Sequence, residues 1–441
     1  MRRQLTHREI TGFFAPLVLM AELMMISHTI IHAFLARQSY PTTSLAAFSI
    51  SFSLQTLLAS LVIVVNLQAL SFINSRQSVW RVLSFGWYST GITASVMWTI
   101  AFTPVGDWLF GGLLGASEEV SFQAKQAAIV FGFVLPVVVV RQVSNGLIML
   151  NRKTFLISLS TIIRLGALLV GLFASTWLLS GAVAGAAALL FAIVVETTLI
   201  AWLARPFYLA LPVTHGTTPT LSELWRFTWP LTVNQLSENG IAVLLNVFIG
   251  RLANADLALA AFGVVRGLVM LLTVPMRNLA PTAQALVRSR QDLRVMIGFT
   301  LRVVGVFTLL VGVLFYTPLR EVVLLRVIGL EPELAAYAAP ATLLALAVPF
   351  QWGIAATFRG LMTAVRRTGS LATSAVWRLI AVMLVGCVTL LNPQANGAVV
   401  GVAAMMAALG VEALWLGWRL FGPYAASGLF SEDASDDTKE A

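Results

Sequence analysis

Eleven charged residues occur inside runs of apolar residues that are long enough to cross a membrane. A charged side chain costs about 2.5 to 3.5 kcal/mol at the centre of a bilayer on insertion scales, so each must be paired or face a wet cavity. The planar fork of arginine suits carboxylate and phosphate groups, and an excess of arginine therefore predicts an anion site. The eleven residues are Arg141, Arg164, Arg266, Arg277, Arg302, Arg359 and Arg378, with Glu22, Glu196, Glu238 and Glu412.

An internal repeat at an offset of 214 residues separates these charges into two groups. One arginine and one glutamate recur in each copy, at similar depths of about 12 to 15 Å in adjacent predicted helices. We therefore predict that these four residues form two structural ion pairs. The matched positions are Phe13 and Phe227, Pro16 and Pro230, Arg152 and Arg366, Arg164 and Arg378, and, after a shift of two residues, Glu196 and Glu412.

The charges that the repeat does not duplicate are the candidates for binding. Arg266 and Arg277 are eleven residues apart, which returns to within about 20° of the same helix face. Thr273 and Gln284 fall on that stripe as well, whereas the counterparts of both arginines in the first copy are apolar. We predict that this stripe of the eighth helix binds the anion.

Further polar residues within the apolar runs extend this candidate site. With the two expected pairs set aside, five arginines face two glutamates, so 5 − 2 leaves three positive charges inside the membrane. The alternative left open is that some of these arginines reach the membrane surface or pair with Glu238. The added candidates are Arg141, Asn145, Arg302, Arg359, Asn234, Gln235, Glu238, Asn239 and Asn246.

The first apolar run carries Glu22, His28 and His32, which we assign to proton coupling. A buried carboxyl group and an imidazole can each take up and release a proton during a transport cycle. The histidines are spaced i and i+4, which suits a metal ion, but no third ligand of matching spacing follows. A hydrogen-bonded polar cluster is the alternative. We expect no metal site and no cofactor.

Composition excludes a soluble protein. Of 441 residues, 58% are hydrophobic and 11% charged, and the mean hydropathy is +0.87, far from the values of soluble domains. Twelve apolar runs predict an all-α polytopic membrane protein with twelve transmembrane helices. The single cysteine, Cys387, excludes a disulfide framework, and no nucleotide-binding or hydrolase motif occurs. We therefore expect no enzyme and, because the basic residues lie mainly at membrane edges, no nucleic-acid partner.

The repeat and the loop charges set the topology. Each copy holds six helices, and because six is even the copies form two bundles related by a pseudo-two-fold axis along the membrane normal. Sixteen Lys and Arg residues lie on one side and five on the other, which places both termini in the cytoplasm of a protein of the bacterial inner membrane. The expected domains are a bundle at 1–204, a cytoplasmic linker at 205–222, a bundle at 223–421 and an acidic, disordered tail at 422–441.

Several short motifs, in collinear order over nearly the whole chain, carry a family resemblance. They are LAAFSISFSL at 45–54, FINSR at 72–76, Pro230 and Leu231 with Asn246 and Arg251, Gly360 to Met362 followed by Arg366, Arg367 and Arg378, and Gly397 with Gly401. Together they resemble the progressive ankylosis (ANK) protein family of the multidrug/oligosaccharidyl-lipid/polysaccharide exporter superfamily. The resemblance implies a MATE-like fold with a central cavity and the export of organic anions such as citrate, ATP and pyrophosphate.

These observations favour a secondary transporter that exports a small organic anion by alternating access between two bundles. A cation-coupled drug exporter of the multidrug and toxin extrusion type is the first alternative, and a flippase for lipid-linked substrates is a weaker one. An intramembrane enzyme or scaffold is the third, although neither needs a duplicated parallel repeat. We expect a monomer whose partners are the anionic substrate and the lipid bilayer.

Overall fold

The computed structural model describes residues 5–38, 40–114, 116–215 and 218–422. This part of the chain is helical and contains no strand. Its long helices are α1 His7–Leu35, α2 Pro41–Ile63 with Val65–Phe72, α3 Arg76–Phe102, α4 Glu118–Leu150, α5 Phe155–Leu178, α6 Gly181–Ala210, α7 Leu221–Ile249, α8 Ala255–Thr273 with Leu279–Leu286, α9 Arg290–Tyr316, α10 Pro332–Leu344 with Val348–Ala364, α11 Gly369–Leu390 and α12 Gly397–Phe421.

These helices form an integral membrane protein. Within the described residues, ten helices are long and apolar enough to cross a membrane. The other two long helices are α3, with 27 residues, and α7, with 29, and both exceed the roughly 20 residues that a span requires. The predicted all-α polytopic fold is confirmed.

The repeat is visible in the local backbone. Arg152 and Arg366, which are equivalent, both adopt a φ of 56°, a left-handed conformation that is unusual for a residue with a side chain. Each ends the turn after an equivalent helix, α4 or α10. Short π-helical turns at Trp108–Leu113 and Val322–Val327 are likewise 214 residues apart. Both copies therefore share turns as well as helices.

Equivalent glycines bring helices close together in both copies. A side chain at Gly185 of α6 would press against Phe48 of α2, and one at Gly401 of α12 would overlap the ring of Phe262 in α8. Both phenylalanine side chains are fully buried. Small residues allow helix backbones to approach closely in membranes, where close packing replaces the hydrophobic effect as the driving force.

The chain packs as two compact units that divide two of its helices. One unit is Ala15–Thr232, and the other consists of the described residues up to Phe14 and those from Val233 onward. The divisions in α1 and α7 lie beside Pro16 and Pro230, the equivalent residues at which a helical hydrogen bond is lost. The first residues of α1 and of α7 each pack through a phenylalanine ring against a second phenylalanine of the same unit.

Contacts between aromatic rings fix the first residues of both α1 and α7. Phe14 meets Phe299 with 5.5 Å between ring centroids, and Phe227 meets Phe72 with 5.1 Å between centroids. Gln68 of α2 also donates a hydrogen bond to the carbonyl oxygen of Leu224, at 3.3 Å. The beginning of α7 is therefore fixed to the Ala15–Thr232 unit by both packing and a buried hydrogen bond.

The connection between α6 and α7 is shorter than the expected linker at 205–222. Residues 205–210 continue α6, with Pro206 accommodated inside the helix, and α7 begins at Leu221. The start of the connection pairs with α3, because the backbone N–H of Arg76 donates to the carbonyl oxygen of Pro212 at 2.9 Å. The expected tail at 422–441 lies, apart from Gly422, outside the described residues.

Replacing Gly401 by alanine should destabilise the protein by about 1 to 3 kcal/mol, because the new methyl group overpacks against Phe262. Gly166 of α5, where a side chain would meet nothing within 4 Å, is the matched control, and its alanine variant should melt at or slightly above the wild-type temperature. Thermal melting in detergent measures both. Equal melting temperatures for the two variants would show that the close helix contact does not matter.

Candidate functional site

The glutamate of α12 anchors a buried ion network in the unit that begins at Val233. Glu412 Oε2 lies 3.2 Å from Arg378 Nη1, and Glu412 Oε1 lies 3.3 Å from Arg359 Nε. Asn234 donates to Glu412 Oε1 at 3.3 Å, while Arg378 Nη2 donates to the carbonyl oxygen of Asn234 at 2.7 Å. The predicted pair of Arg378 and Glu412 is confirmed, and the structure adds Arg359 and Asn234 to it.

A second carboxylate extends this network towards the surface of the unit. Glu238 Oε1 lies 2.6 Å from Arg277 Nη2, and Glu238 Oε2 lies 3.0 Å from Arg359 Nη1. Arg359 therefore bridges two glutamates. The result is a continuous chain of five charged groups from Arg277, through Glu238, Arg359 and Glu412, to Arg378.

Arg277 is the accessible end of this chain. Its side chain is 46% exposed, against 15% for Arg359. Its guanidinium carbon lies 5.5 Å from the ring centroid of Trp352, within the range of a cation–π interaction. Arg277 is thus held by a carboxylate and an aromatic face, while part of its guanidinium remains open to a ligand.

Arg266 lies one segment earlier in α8 and is half-buried. It forms no ion pair within the described residues, and Arg277 acts on it electrostatically. The single polar stripe predicted for this helix is wrong, because a 3-10 turn at Val274–Asn278 interrupts α8 and rotates about 120° per residue instead of 100°. Arg277 and Gln284 therefore no longer follow the α-helical spacing from Arg266. Thr273, which precedes the turn, and Gln284 are buried, whereas Arg277 is exposed.

The unit Ala15–Thr232 contains the equivalent network around Glu196. Arg164 Nη1 lies 3.6 Å from Glu196 Oε2, which confirms the predicted pair, but Arg141 Nη1 is closer, at 2.9 Å. Thr161 donates to Glu196 Oε1 at 2.9 Å. Arg141 therefore belongs to a buried ion network. The sequence does not reveal this, because the residue of the first copy that matches Arg359 is Asn145, one turn after Arg141.

The remaining candidates lie in varied environments. Arg302 is exposed on α9 and unpaired within the described residues, on the same face as the exposed Leu309, so that this face is largely apolar. Asn145 is buried, and its Oδ1 atom has no hydrogen-bond partner in the described part of the chain. Of the other candidates in α7, Gln235 and Asn239 are half-buried and Asn246 is exposed.

The candidates of α1 form no ion pair with either network among the described residues, although Arg164 of the Glu196 network acts electrostatically on His28. Glu22 is half-buried and forms no ion pair within the described ranges. His28 packs on Phe52 with 4.7 Å between ring centroids, and the exposed His32 meets Phe48 with 5.8 Å between centroids. No group of three or more histidine, cysteine or acidic side chains that could hold a metal ion occurs among the described residues.

The excess positive charge belongs entirely to one unit. The unit Ala15–Thr232 holds two of the intramembrane arginines and two of the glutamates, so 2 − 2 gives zero. The unit from Val233 onward holds five arginines and two glutamates, and 5 − 2 gives three positive charges. An excess of cationic side chains within one unit attracts anions.

Comparisons identify the fold. No protein-family model matches the sequence, and no curated protein matches it significantly. The structure resembles a MOP superfamily transporter from Pyrococcus furiosus, described as having a binding pocket of reverse polarity that suggests a different function, with a TM-score of 0.72 and 18% identity over 94% of this chain and 96% of that chain.

Two further solved structures show the same architecture. The eukaryotic MATE transporter AtDTX14 has a TM-score of 0.75 and 15% identity, over 94% of this chain and 95% of that one. A multidrug resistance MATE family transporter in an outward-facing conformation has a TM-score of 0.70 and 18% identity, over 94% and 96%. The chain therefore has the MATE-like fold that the sequence predicts.

Removal of Glu412 should be more damaging than removal of Arg378. Without Glu412, the fully buried Arg378 has lost its carboxylate, whereas without Arg378, Glu412 still contacts Arg359. Breaking a buried pair costs about 3 to 5 kcal/mol. We expect Glu412→Gln to lower the melting temperature in detergent more than Arg378→Gln, and the double variant with methionine at both positions to recover part of the loss. Glu333→Gln, at an exposed position, should melt as wild type; a wild-type melting temperature for Glu412→Gln would contradict a structural role.

Proposed function

We propose that this protein is a secondary transporter that exports a small organic anion, resembling citrate, a nucleotide or pyrophosphate, by alternating access between its two units. The observation that carries the proposal is the excess of three positive charges at membrane level in the unit from Val233 onward. Within it, Arg277 is half-exposed and Arg266 has no carboxylate partner in the described residues. These two side chains are the proposed anion ligands.

The chemistry of the arginines supports an anion over a cation. A guanidinium group donates two parallel hydrogen bonds to a carboxylate or phosphate, and such charge-assisted bonds are roughly twice as strong as neutral ones. Arg277 uses Nη2 for Glu238 and keeps further donors. Because Arg266 and Arg277 repel each other, an anion that contacts both relieves that repulsion.

Two further points support the proposal. The P. furiosus transporter of the same fold is described as having a binding pocket of reverse polarity that suggests a different function. The sequence motifs resemble the ANK family, for which anion export is expected. We propose on the same grounds that the protein resides in the bacterial inner membrane as a monomer, with both termini in the cytoplasm.

Drug extrusion is the second candidate function, since a multidrug resistance MATE transporter has a similar fold. A cationic drug would need an uncompensated carboxylate. Glu238 and Glu412 are each held by two arginines, and Glu196 is as well. Glu22 is the exception among the four intramembrane glutamates, because it forms no ion pair in the described part of the chain, and it is the carboxylate through which such coupling would act.

We also propose that Glu22 carries the coupling proton, with His28 and His32 further along α1 as secondary titratable groups. A carboxylate held against arginine stays ionised throughout a cycle, whereas one without such a partner can exchange its proton. Glu238, by contrast, contacts Arg277 and Arg359 and is assigned to the anion site.

Arg277→Gln and Arg266→Gln should each weaken anion binding by about tenfold, since each variant loses one charge-assisted contact. Isothermal titration of citrate, pyrophosphate and ATP into purified protein measures this. Arg326→Gln, at an exposed position of the Val322–Val327 turn, makes the same change of net charge and should bind as wild type. Wild-type affinity in both Arg277→Gln and Arg266→Gln would refute the proposed site.

Replacement of Glu22 by glutamine should remove the dependence of anion flux on pH near neutrality, because the amide cannot take up a proton. Uptake into proteoliposomes at several pH values measures the profile. Glu333→Gln is the matched control and should keep the wild-type profile. If Glu22→Gln still follows the wild-type profile while Glu238→Gln flattens it, the coupling role belongs to Glu238.

A further inference from the structure

We infer that Glu238 is a tethered counter-ion which the transported anion displaces from Arg277, and that Arg359 then takes both oxygens of the displaced carboxylate. The inference rests on the proposed function. It assigns to Glu238 a role opposite to that of a substrate-binding carboxylate, because the glutamate would compete with the substrate. It also explains why an arginine, and not the asparagine of the first copy, occupies position 359.

Glu238 already occupies the place that an anion would take. Its Oε1 atom is 2.6 Å from Arg277 Nη2, the geometry of a strong charge-assisted hydrogen bond between a guanidinium and an acid. Arg277 is the most accessible member of the network, with a 46% exposed side chain, while Arg359 is 15% exposed. An incoming carboxylate or phosphate therefore meets Arg277 first and must compete with Glu238 for it.

Arg359 offers a vacant donor to the displaced oxygen. Its Nη1 atom binds Glu238 Oε2 at 3.0 Å, but its Nη2 atom is buried and has no hydrogen-bond partner among the described residues. A buried donor without a partner is costly. When Oε1 leaves Arg277, a small rotation of the carboxylate brings it to Nη2, and Glu238 and Arg359 then form a two-bond fork.

The other contacts of the network keep the free-energy cost of this exchange low. Arg359 stays compensated by Glu412, whose Oε1 atom lies 3.3 Å from Nε, and Glu412 keeps Arg378 at 3.2 Å. No charge is stranded in either state, because Arg277 exchanges Glu238 for the anion. Glu238 thus couples anion binding at Arg277 to the buried pair of Arg378 and Glu412, because Arg359 contacts both glutamates.

Affinity measurements on two Glu238 variants test the inference, with citrate and pyrophosphate as the probes. Glu238→Gln removes the competing charge and should lower the Kd for the probe at least tenfold. Glu238→Asp keeps the charge but is too short to reach both arginines, so it should also bind more tightly than wild type. The aspartate variant separates competition from a mere gain of positive charge.

Arg359→Lys supplies the complementary measurement. A lysine ammonium keeps the positive charge but lacks the fork that receives the second oxygen, so the displaced carboxylate is poorly held and the probe should bind several-fold more weakly. Melting temperatures and gel-filtration profiles confirm that each variant is folded, and Glu238→Asp, which retains a contact to Arg359, provides the comparison if Glu238→Gln or Arg359→Lys is destabilised.

The outcomes for the proposed function and for the inference differ. If Arg277→Gln binds the probes as wild type does, the anion site itself is wrong. If Arg277→Gln loses binding but Glu238→Asp and Glu238→Gln bind no more tightly than wild type, the site stands and the displaced counter-ion is refuted. Tighter binding in both Glu238 variants, together with loss in Arg277→Gln, establishes the competition.

Discussion

The cost of placing a charge inside a bilayer organises this molecule. In each unit a glutamate near the end of the repeat, Glu196 in α6 or Glu412 in α12, accepts two arginines from the neighbouring helices. Removing the glutamate leaves a fully buried arginine without a carboxylate in a medium that solvates it poorly. The helices that carry these side chains are consequently fixed in rotation and depth, and the fully buried Arg164 and Arg378 pin α5 and α11 in equivalent ways.

The two copies differ in their networks where the second copy departs from this shared design. The first copy supplies its second arginine from Arg141 and places Asn145 one turn later. The second copy has Ala355 and Arg359 at those positions, which shifts the guanidinium by a turn and lets it reach Glu238 as well as Glu412. Glu238 in turn reaches Arg277, whose counterpart is the apolar Ile63. A closed structural pair thereby becomes an extended network with an accessible cationic end.

Much of the fold could be predicted from the sequence because it depends on signals that survive without tertiary information. The apolar runs predict the twelve long helices, and the 214-residue repeat correctly links turns as specific as those of Arg152 and Arg366. The ion pairs of Arg164 and Arg378 were predictable from matched depths. The 3-10 turn that separates Arg266 from Arg277 was not predictable. Pro275 indicates a kink, but it does not give the angle by which the helix after the turn is rotated.

The partners of Arg141 and Arg359 illustrate a second limit of the sequence. A helix position gives the depth of a side chain, but a long guanidinium can reach a turn above or below its own backbone, so depth alone does not select between neighbouring glutamates. The division of α1 and α7 between the two units depends on the packing of Phe14 and Phe227. The apolar periodicity of a helix does not show against which other helices its phenylalanines pack.

The central claim is that the excess of intramembrane arginine serves a negatively charged substrate. Counterflow in proteoliposomes tests it most directly: vesicles are loaded with unlabelled citrate, pyrophosphate or the organic cation ethidium, and uptake of the corresponding labelled compound is followed. The account predicts counterflow of at least one of the two anions, unaffected by excess ethidium. Counterflow of ethidium with none of either anion would contradict it.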